Sequence, residues 1–285
     1  MSTLETLPSV QDCLKQAGLN ANKALGQHFL FDLNLTRKIA RSVGISQDDL
    51  VIEIGPGPGG LTRPLLEQGV HVIAIDKDTR FTPILDDIRA ASENRLEVHF
   101  EDALRSDLSR FASADRPIKI VSNLPYNIGT QLLIGWLTTK PIFWSSLTLM
   151  FQKEVAERVV ALPGTTGYGR LAVLCAAVAD AHMLFGVPAE AFTPPPKVDS
   201  AVVHLTPKRE AERFADLEAL EQITRAAFGQ RRKMLRASLK TLAKPAKMNV
   251  ADWLDEAGID PTVRPETLAP QDFFALARLW RAATL

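Results

Sequence analysis

Val51-Ile52-Glu53-Ile54-Gly55-Pro56-Gly57-Pro58-Gly59-Gly60 is the stretch on which the reading of this chain turns. A short apolar run ends in a glycine-rich turn, and a helical pattern opens at Leu61. Glycine lets the backbone bend sharply and lets a ligand approach it closely, so the order is strand, binding turn, helix. Glycines 55, 57 and 60 also satisfy G-x-G-x-x-G, and Asp76 follows at the spacing of about 20 residues that marks a dinucleotide fold. Prolines 56 and 58 argue the other way: each removes an N–H donor from a loop that would have to cradle a pyrophosphate. A nucleoside without phosphates suits the turn better. Glu53 beside it favours one with a cationic amino acid tail, so S-adenosyl-L-methionine is the expected ligand of Glu53, Gly55 and Gly57, with a nicotinamide dinucleotide as the alternative.

Outward from the turn, apolar runs at Leu50–Ile54, Val72–Ile75, Leu96–Phe100, Ile118–Ser122 and Leu147–Phe151 alternate with segments of helical length. That alternation predicts β-α-β units and a parallel, doubly wound α/β sheet. Runs at Ala181–Val187 and Val198–Leu205 follow a helix candidate at Leu171–Ala179 and read as a closing hairpin around the loop Phe192-Thr193-Pro194-Pro195-Pro196. Beyond Thr206-Pro207 only helical patterns remain: Asp216–Phe228, Arg231–Leu242, Ala251–Ala257 and Gln271–Ala282. The expected organisation is a catalytic domain over 1–206 and a small all-α domain over 207–285.

Strand ends in such a sheet meet the ligand. Asp76 closes the second strand, where a carboxylate accepts both ribose hydroxyls; Asp78 ranks behind it. Asp102 closes the third and is placed to accept the exocyclic amine of the cofactor's adenine. A solvated strand-end acid is the plain alternative for each. The fourth strand ends in Asn123-Leu124-Pro125-Tyr126, beside the glycine turn. An adenine N6 is a poor nucleophile because its lone pair is delocalised into the ring, and two aimed acceptors can draw it toward tetrahedral geometry. The Asn123 side-chain oxygen and the Leu124 carbonyl are the candidates, with Pro125 fixing the chain between them and Tyr126 offering a ring for the base. Phe192 is read as a second stacking platform opposite Tyr126, with a rigid structural clamp as the alternative. No catalytic histidine is required, since the amine loses its proton only after the methyl has arrived.

The bulk numbers are permissive. The 285 residues carry 33 basic and 33 acidic side chains, so a polyanion must be met by a local patch. One exists: Arg225 to Lys247 holds eight basic residues and no acidic one, with Lys233, Arg236 and Lys240 at helical spacing beside a stripe of Leu235, Leu239 and Leu242. One face is expected to pack while Arg231, Arg232, Lys233, Arg236 and Lys240 meet the phosphates of a polyanion, with a solvated charged face as the plain alternative. Two cysteines without CxxC spacing argue against a metal site and for a reducing cytoplasm, and no apolar run reaches membrane-spanning length. No membrane partner and no metal are expected.

Taken with Leu25-Gly26-Gln27-His28-Phe29-Leu30, Gln152-Lys153-Glu154-Val155-Ala156, Tyr168-Gly169-Arg170-Leu171, Phe192 through Ser200 and Phe228-Gly229-Gln230-Arg231-Arg232-Lys233-Met234-Leu235, these motifs resemble the KsgA/Dim-type dimethyltransferases, which modify two adjacent adenosines near the 3′ end of small-subunit ribosomal RNA. The resemblance covers most of the chain. It implies a Rossmann-like class I methyltransferase sheet with a C-terminal helical RNA-binding domain. It also implies that Gln27, His28, Leu30, Gly55, Asp76, Asp102 and Asn123 contact S-adenosyl-L-methionine and that Tyr126 and Phe192 flank the target base. A monomer acting on ribosomal RNA, within a pre-assembled small subunit, is the expected form. His28 stands where asparagine is common and Asp76 where glutamate is common. A sister enzyme acting on large-subunit RNA and a non-catalytic assembly factor are the rivals.

Overall fold

The computed structural model describes residues 3–22, 26–113, 116, 118–230 and 233–284. Among the described residues there are nine strands: β1 (Phe29–Leu30), β2 (Leu50–Ile54), β3 (His71–Asp76), β4 (Leu96–Phe100), β5 (Ile118–Asn123), β6 (Ser146–Gln152), β7 (Ala179–Val187), β8 (Phe192–Thr193) and β9 (Ser200–Pro207). Seven of them form one sheet in the order β4-β3-β2-β5-β6-β9-β7. The pairs from β4 through β6 are parallel, and β9 runs antiparallel to β6. The predicted α/β class is therefore borne out. β2 and β5 are neighbours, yet the chain runs outward from β2 through β3 to β4 before it returns to β5. This reversal opens a crevice at their carboxyl ends, the position where open α/β sheets hold ligands.

All five residues of β2 are buried, as expected for a strand covered on both faces. Helices Leu33–Ser42, Thr62–Leu66 and Thr82–Ala91 add Ile39, Leu65, Leu66, Leu85 and Ile88 to the cluster that seats it. Asp32 caps the first of these helices, its side chain accepting from the backbone N–H groups of Asn34 and Leu35.

The chain divides into two compact units. The first holds residues 1–135, 139–156 and 182–206. The second holds 136–138, 157–181 and 207–285, so the apolar helix Arg170–Val178 belongs with the C-terminal helices rather than with the sheet. A boundary drawn at 207 from the loss of strand patterns could not see this, because a buried helix carries no mark of which core it enters. Within the second unit Phe228 packs against Tyr168 and Phe273, at ring-centroid distances of 5.9 and 5.3 Å, and Arg170 pairs with Glu221. The aromatic ends of the Tyr168 and Phe228 motifs are thus packing partners of one another.

One helix expectation is corrected. The segment predicted as a single helix over Arg231–Leu242 is two short turns, Leu235–Ser238 and Lys240–Ala243, with Leu239 between them. Thr241 Oγ1 donates to Ser238 O at 3.4 Å, while the Leu242 N–H that would continue the ladder there donates to Leu239 O instead. Lys233 therefore lies outside any helix.

Candidate active site

The glycine turn is closed by its own backbone. Gly55 N–H donates to Ile75 O, Gly59 N–H to Pro56 O, and Gly57 N–H to a carboxylate oxygen of Asp76 at 3.1 Å. With prolines at 56 and 58, the turn from 55 through 59 has no amide left for a phosphate. Gly57 sits at φ +52°, the left-handed region that favours glycine. Gly60 serves a different end: a Cβ there would lie 2.6 Å from the carbonyl oxygen of Leu30, so its bareness lets the N-terminal segment cross the turn.

That segment is pinned from several directions. β1 pairs antiparallel with β8, Leu30 opposite Phe192 and Phe29 opposite Thr193. Gln27 Nε2 donates to Asp78 at 2.9 Å, and Gln27 Oε1 accepts from Asn22 N–H at 2.8 Å. His28 Nδ1 lies 2.7 Å from Pro194 O. Together these elements bound a cavity of about 330 Å³ at the carboxyl ends of β2, β3 and β5. Gln27, His28, Leu30, Glu53, Gly55, Gly57, Asp76, Asp102, Asn123, Leu124, Pro125 and Tyr126 all line it. Leu25, Arg231 and Arg232 lie outside the described residues.

Burial raises the pKa of Glu53 to about 8; the Thr62 hydroxyl, 2.6 Å from its Oε2, pulls it back, and the Asp76 charge raises it further. Burial likewise lifts the Asp76 carboxyl, against hydrogen bonds from the Asp78 and Gly57 amides. Neither acid has an ion-pair partner among the described residues. Two buried acids without a counter-charge fit a ligand that brings its own positive charge. Asp78, the second-ranked candidate, is held by Arg80 and Gln27 and does not line the cavity. Asp102 is less enclosed; Lys77, at 3.1 Å, lowers its pKa together with the Leu104 amide. Lys77, which also lines the cavity, was not singled out in the sequence, although it directly follows the acid that ends β3.

A proton-linked prediction follows from Glu53. In the free protein its carboxyl is protonated below pH 8, while a cationic ligand favours the carboxylate. Binding of S-adenosylmethionine at pH 7 should therefore release about one proton, and affinity should rise with pH up to that value. Calorimetry in buffers of differing ionisation enthalpy measures the release, and Glu53→Gln should abolish it; equal heats in all buffers for the unaltered protein would defeat the assignment. For the ligand-free fold the sign is opposite. The native state holds a proton that the unfolded chain has lost above pH 4.5, so stability falls as pH rises from there to about 8.

The tetrapeptide stands against the turn: a Cβ on Gly55 would come within 3.8 Å of the Pro125 ring. Asn123 Nδ2 donates to the backbone carbonyl of His28 at 3.2 Å, which fixes the amide's orientation and assigns Oδ1 as its acceptor edge. The Pro125 carbonyl is occupied by the N–H groups of Ile128 and Gly129, at the start of helix Gly129–Thr138. Tyr126 Oη lies 2.7 Å from Ser200 Oγ, and burial raises the phenol's pKa. Ser200 carries no sequence signal for this contact, being 74 residues away.

Phe192 requires a correction. Its ring is 2 % exposed, belongs to the core cluster with Leu30, Met150, Val187 and Val202, and does not line the cavity. Pairing of β8 with β1 turns the side chain into the core, the placement of a clamp and not of a platform open to a base. Tyr126 is instead faced by His28, their ring centroids 5.4 Å apart at 28°.

No group of His, Cys, Asp and Glu side chains placed to hold a metal is found among the described residues, and none of the helices there is long and apolar enough to cross a membrane.

A cleft whose turn has no amides to give and whose acids await a cation takes a sulfonium nucleoside better than a pyrophosphate. The sheet that holds it is that of a class I methyltransferase, which takes a methyl donor of the S-adenosylmethionine type. The family model described as ribosomal RNA adenine dimethylase matches residues 18–281, and the chain belongs to that family. Among curated relatives, ribosomal RNA small subunit methyltransferase A of Phenylobacterium zucineum is 54 % identical over 98 % of this chain and 95 % of its own length. The protein of that name from Allorhizobium ampelinum is 53 % identical over 98 % and 100 %. A solved dimethyladenosine transferase from Plasmodium falciparum superposes with a TM-score of 0.75 at 27 % identity, covering 90 % of this chain and 99 % of that one. The 23S rRNA methyltransferase ErmE superposes at 0.64, also at 27 % identity, covering 89 % and 99 %.

Proposed function

We propose that this enzyme transfers methyl groups from S-adenosyl-L-methionine to N6 of two adjacent adenosines in the 3′-terminal hairpin of small-subunit ribosomal RNA, giving N6,N6-dimethyladenosine during small-subunit biogenesis. The observation that carries the chemistry is the oriented amide of Asn123. With Nδ2 committed to the His28 carbonyl, Oδ1 is the edge that meets the target amine. The Leu124 carbonyl is the second acceptor, and Tyr126 stacks the base. When bound, the cofactor supplies an electrophilic methyl on its sulfonium. The chain's own residues hold N6 in line with it, an orientation effect that reaches about 7–11 kcal/mol in favourable cases. Asn123 is neutral and accepts equally from an amine that already carries one methyl, so the same geometry serves the second transfer. The proton leaves to water once the nitrogen has become cationic.

Small-subunit RNA is favoured over large-subunit RNA because relatives more than half identical over nearly the whole chain carry the small-subunit name, whereas ErmE shares 27 %. An adenine in a hairpin must be unstacked before it can enter, at a cost of a few kcal/mol. The exposed side chains of Lys233, Arg236, Lys240, Lys244 and Lys247 offer phosphate contacts that offset this cost. Arg225 is set apart from them by its pairing with Glu221. Arg236→Ala with Lys240→Ala should therefore weaken RNA binding and lower the slope of log affinity against log salt by about 1.5–2, with cofactor affinity unchanged. An unaltered slope would move the RNA elsewhere. The expected working form is a cytoplasmic monomer acting on a partly assembled small subunit.

The deciding experiment is mass spectrometry of ribosomal RNA from cells lacking this protein, alongside transfer of labelled methyl groups to small subunits purified from them. The two adenosines should be unmethylated in those cells and should become dimethylated in vitro. Full dimethylation in the deleted strain would overturn the proposal.

A further inference from the structure

Asp78 ranked behind Asp76 as the ribose acceptor, and the structure gives it a different place. Its side chain is 5 % exposed and is not part of the cavity lining. Oδ1 accepts from the Arg80 N–H at 3.2 Å and from Arg80 Nε at 2.8 Å. Oδ2 accepts from Arg80 Nη2 and, at 2.9 Å, from Gln27 Nε2. The guanidinium thus grips both carboxylate oxygens, the fork geometry in which an arginine pair is strongest. These bonds, those of the Arg80 side chain foremost, hold the Asp78 carboxyl below the ordinary carboxylate range.

Both sides of this pair lead into the site. On one side the Asp78 main-chain N–H donates to Asp76 Oδ1 at 2.8 Å while Gly57 N–H holds Oδ2 at 3.1 Å, so two amides aim the Asp76 carboxylate. On the other, Gln27 gives Nε2 to Asp78 and takes the Asn22 N–H on Oε1 at 2.8 Å, which braces the stretch running into His28 and Leu30. Arg80 backs the brace, with Nη2 3.5 Å from Gln27 Oε1 and Nη1 3.5 Å from Asn20 O. Asp78 is therefore the knot between the loop after β3 and the segment that crosses the glycine turn. Gln27 and Asp78 are 51 residues apart, so no local pattern could show it.

An ion pair exposed at both ends contributes little, but here Arg80 is 40 % exposed and Asp78 only 5 %. Without the guanidinium an enclosed carboxylate would keep only uncharged donors, an arrangement relieved by admitting water and releasing Gln27. On the reading of the cavity as the seat of S-adenosylmethionine, we propose that Arg80 is a positioning residue for the methyl donor. Through Asp78 it clasps Gln27, and with it the segment bearing His28 and Leu30, over the glycine turn. Arg80 itself does not line the cavity.

The test uses the whole chain with and without the donor. Cofactor affinity by calorimetry, methyl transfer to unmethylated small subunits, hydrogen exchange of the ligand-free protein and melting temperature are measured for Arg80→Ala, Asp78→Ala and the double variant. Arg80→Ala should weaken S-adenosylmethionine binding about tenfold, as when the clasped segment falls to about a tenth of the population. The cofactor's KM should rise by more than kcat falls. In the ligand-free protein, exchange should quicken in peptides spanning 26–30 and stay unchanged in those spanning β2 and β3. Arg80→Ala should add less than about twofold to the affinity loss of Asp78→Ala, because the two act through one contact. Unchanged cofactor affinity in Arg80→Ala would overturn the clasp, as would unchanged exchange at 26–30. Faster exchange throughout the sheet with a lower melting temperature would make Arg80 a general stabiliser and overturn it too. So would fully additive losses in the double variant, which would put the effect of Arg80 somewhere other than Asp78. Failure of the unaltered protein to bind S-adenosylmethionine would instead remove the reading beneath, whatever Arg80→Ala does.

Discussion

Asn123→Ala is expected to lower the rate of methyl transfer by about 10²–10³-fold, the loss seen when one aimed polar group is taken from a preorganised site. The substitution removes the acceptor proposed for N6 and frees the His28 carbonyl that its Nδ2 had engaged. Asn123→Asp sharpens the test. It keeps an oxygen for the target amine but turns a second oxygen toward the His28 carbonyl, where the amide made a 3.2 Å hydrogen bond. Two acceptors then oppose each other, so aspartate should not rescue the alanine variant. Single-turnover transfer to unmethylated small subunits measures both, and a fully active Asn123→Asp enzyme would show that amide orientation is irrelevant.

The second large effect falls on stability. Phe192→Ala removes a ring that is 2 % exposed and packed in the main core, so unfolding should become easier by about 3–5 kcal/mol. For a unit of this size the melting temperature should drop by roughly 10 °C. Because β8 is the partner of β1, cofactor affinity should fall with it as the segment over the glycine turn loosens. Thermal or denaturant unfolding reads the effect directly. An unchanged melting temperature with depressed methyl transfer would return Phe192 to the role of platform.

The sheet was legible in the sequence because its strands are short, uninterrupted runs bounded by helical patterns; β2 is buried throughout, whereas β4 fully buries only Leu96. Leu50–Ile54 and Leu96–Phe100 coincide with their apolar runs, and the other parallel strands extend theirs by a residue at one or both ends. The glycine turn, Asp76, Asp102 and the tetrapeptide were found because each ends a strand, and the topology gathers those ends at one crevice. What stayed hidden depends on pairings far apart in sequence. β1 and β8 are two residues each, too short for any periodicity, and only their mutual register makes them strands. That register sends Phe192 inward; an aromatic before three prolines reads locally as core or as platform with equal ease. The break at Leu239 was missed for another reason: leucine spacing suits a helix, while the Leu242 N–H turns to Leu239 O and leaves Ser238 O to the Thr241 hydroxyl. Glu53 was noticed as an acid near the turn, but its elevated pKa depends on enclosure that only the folded sheet provides.

The two-residue ribbon of β1 with β8 also sets an order of events during synthesis. Phe29 and Leu30 are made before their partners, Phe192 and Thr193, which follow them by more than half the length of this chain. Until that second strand emerges, the segment carrying His28 has neither its strand partner nor the Pro194 carbonyl, and Asn123 lacks a fixed acceptor for its amide. Closing so long a loop comes late in folding, because its entropy must be spent before the contacts return it. A nascent or truncated chain that already displays the glycine turn and the tetrapeptide therefore still lacks the paired segment that crosses that turn, and the candidate site is complete only after Pro194 has been made.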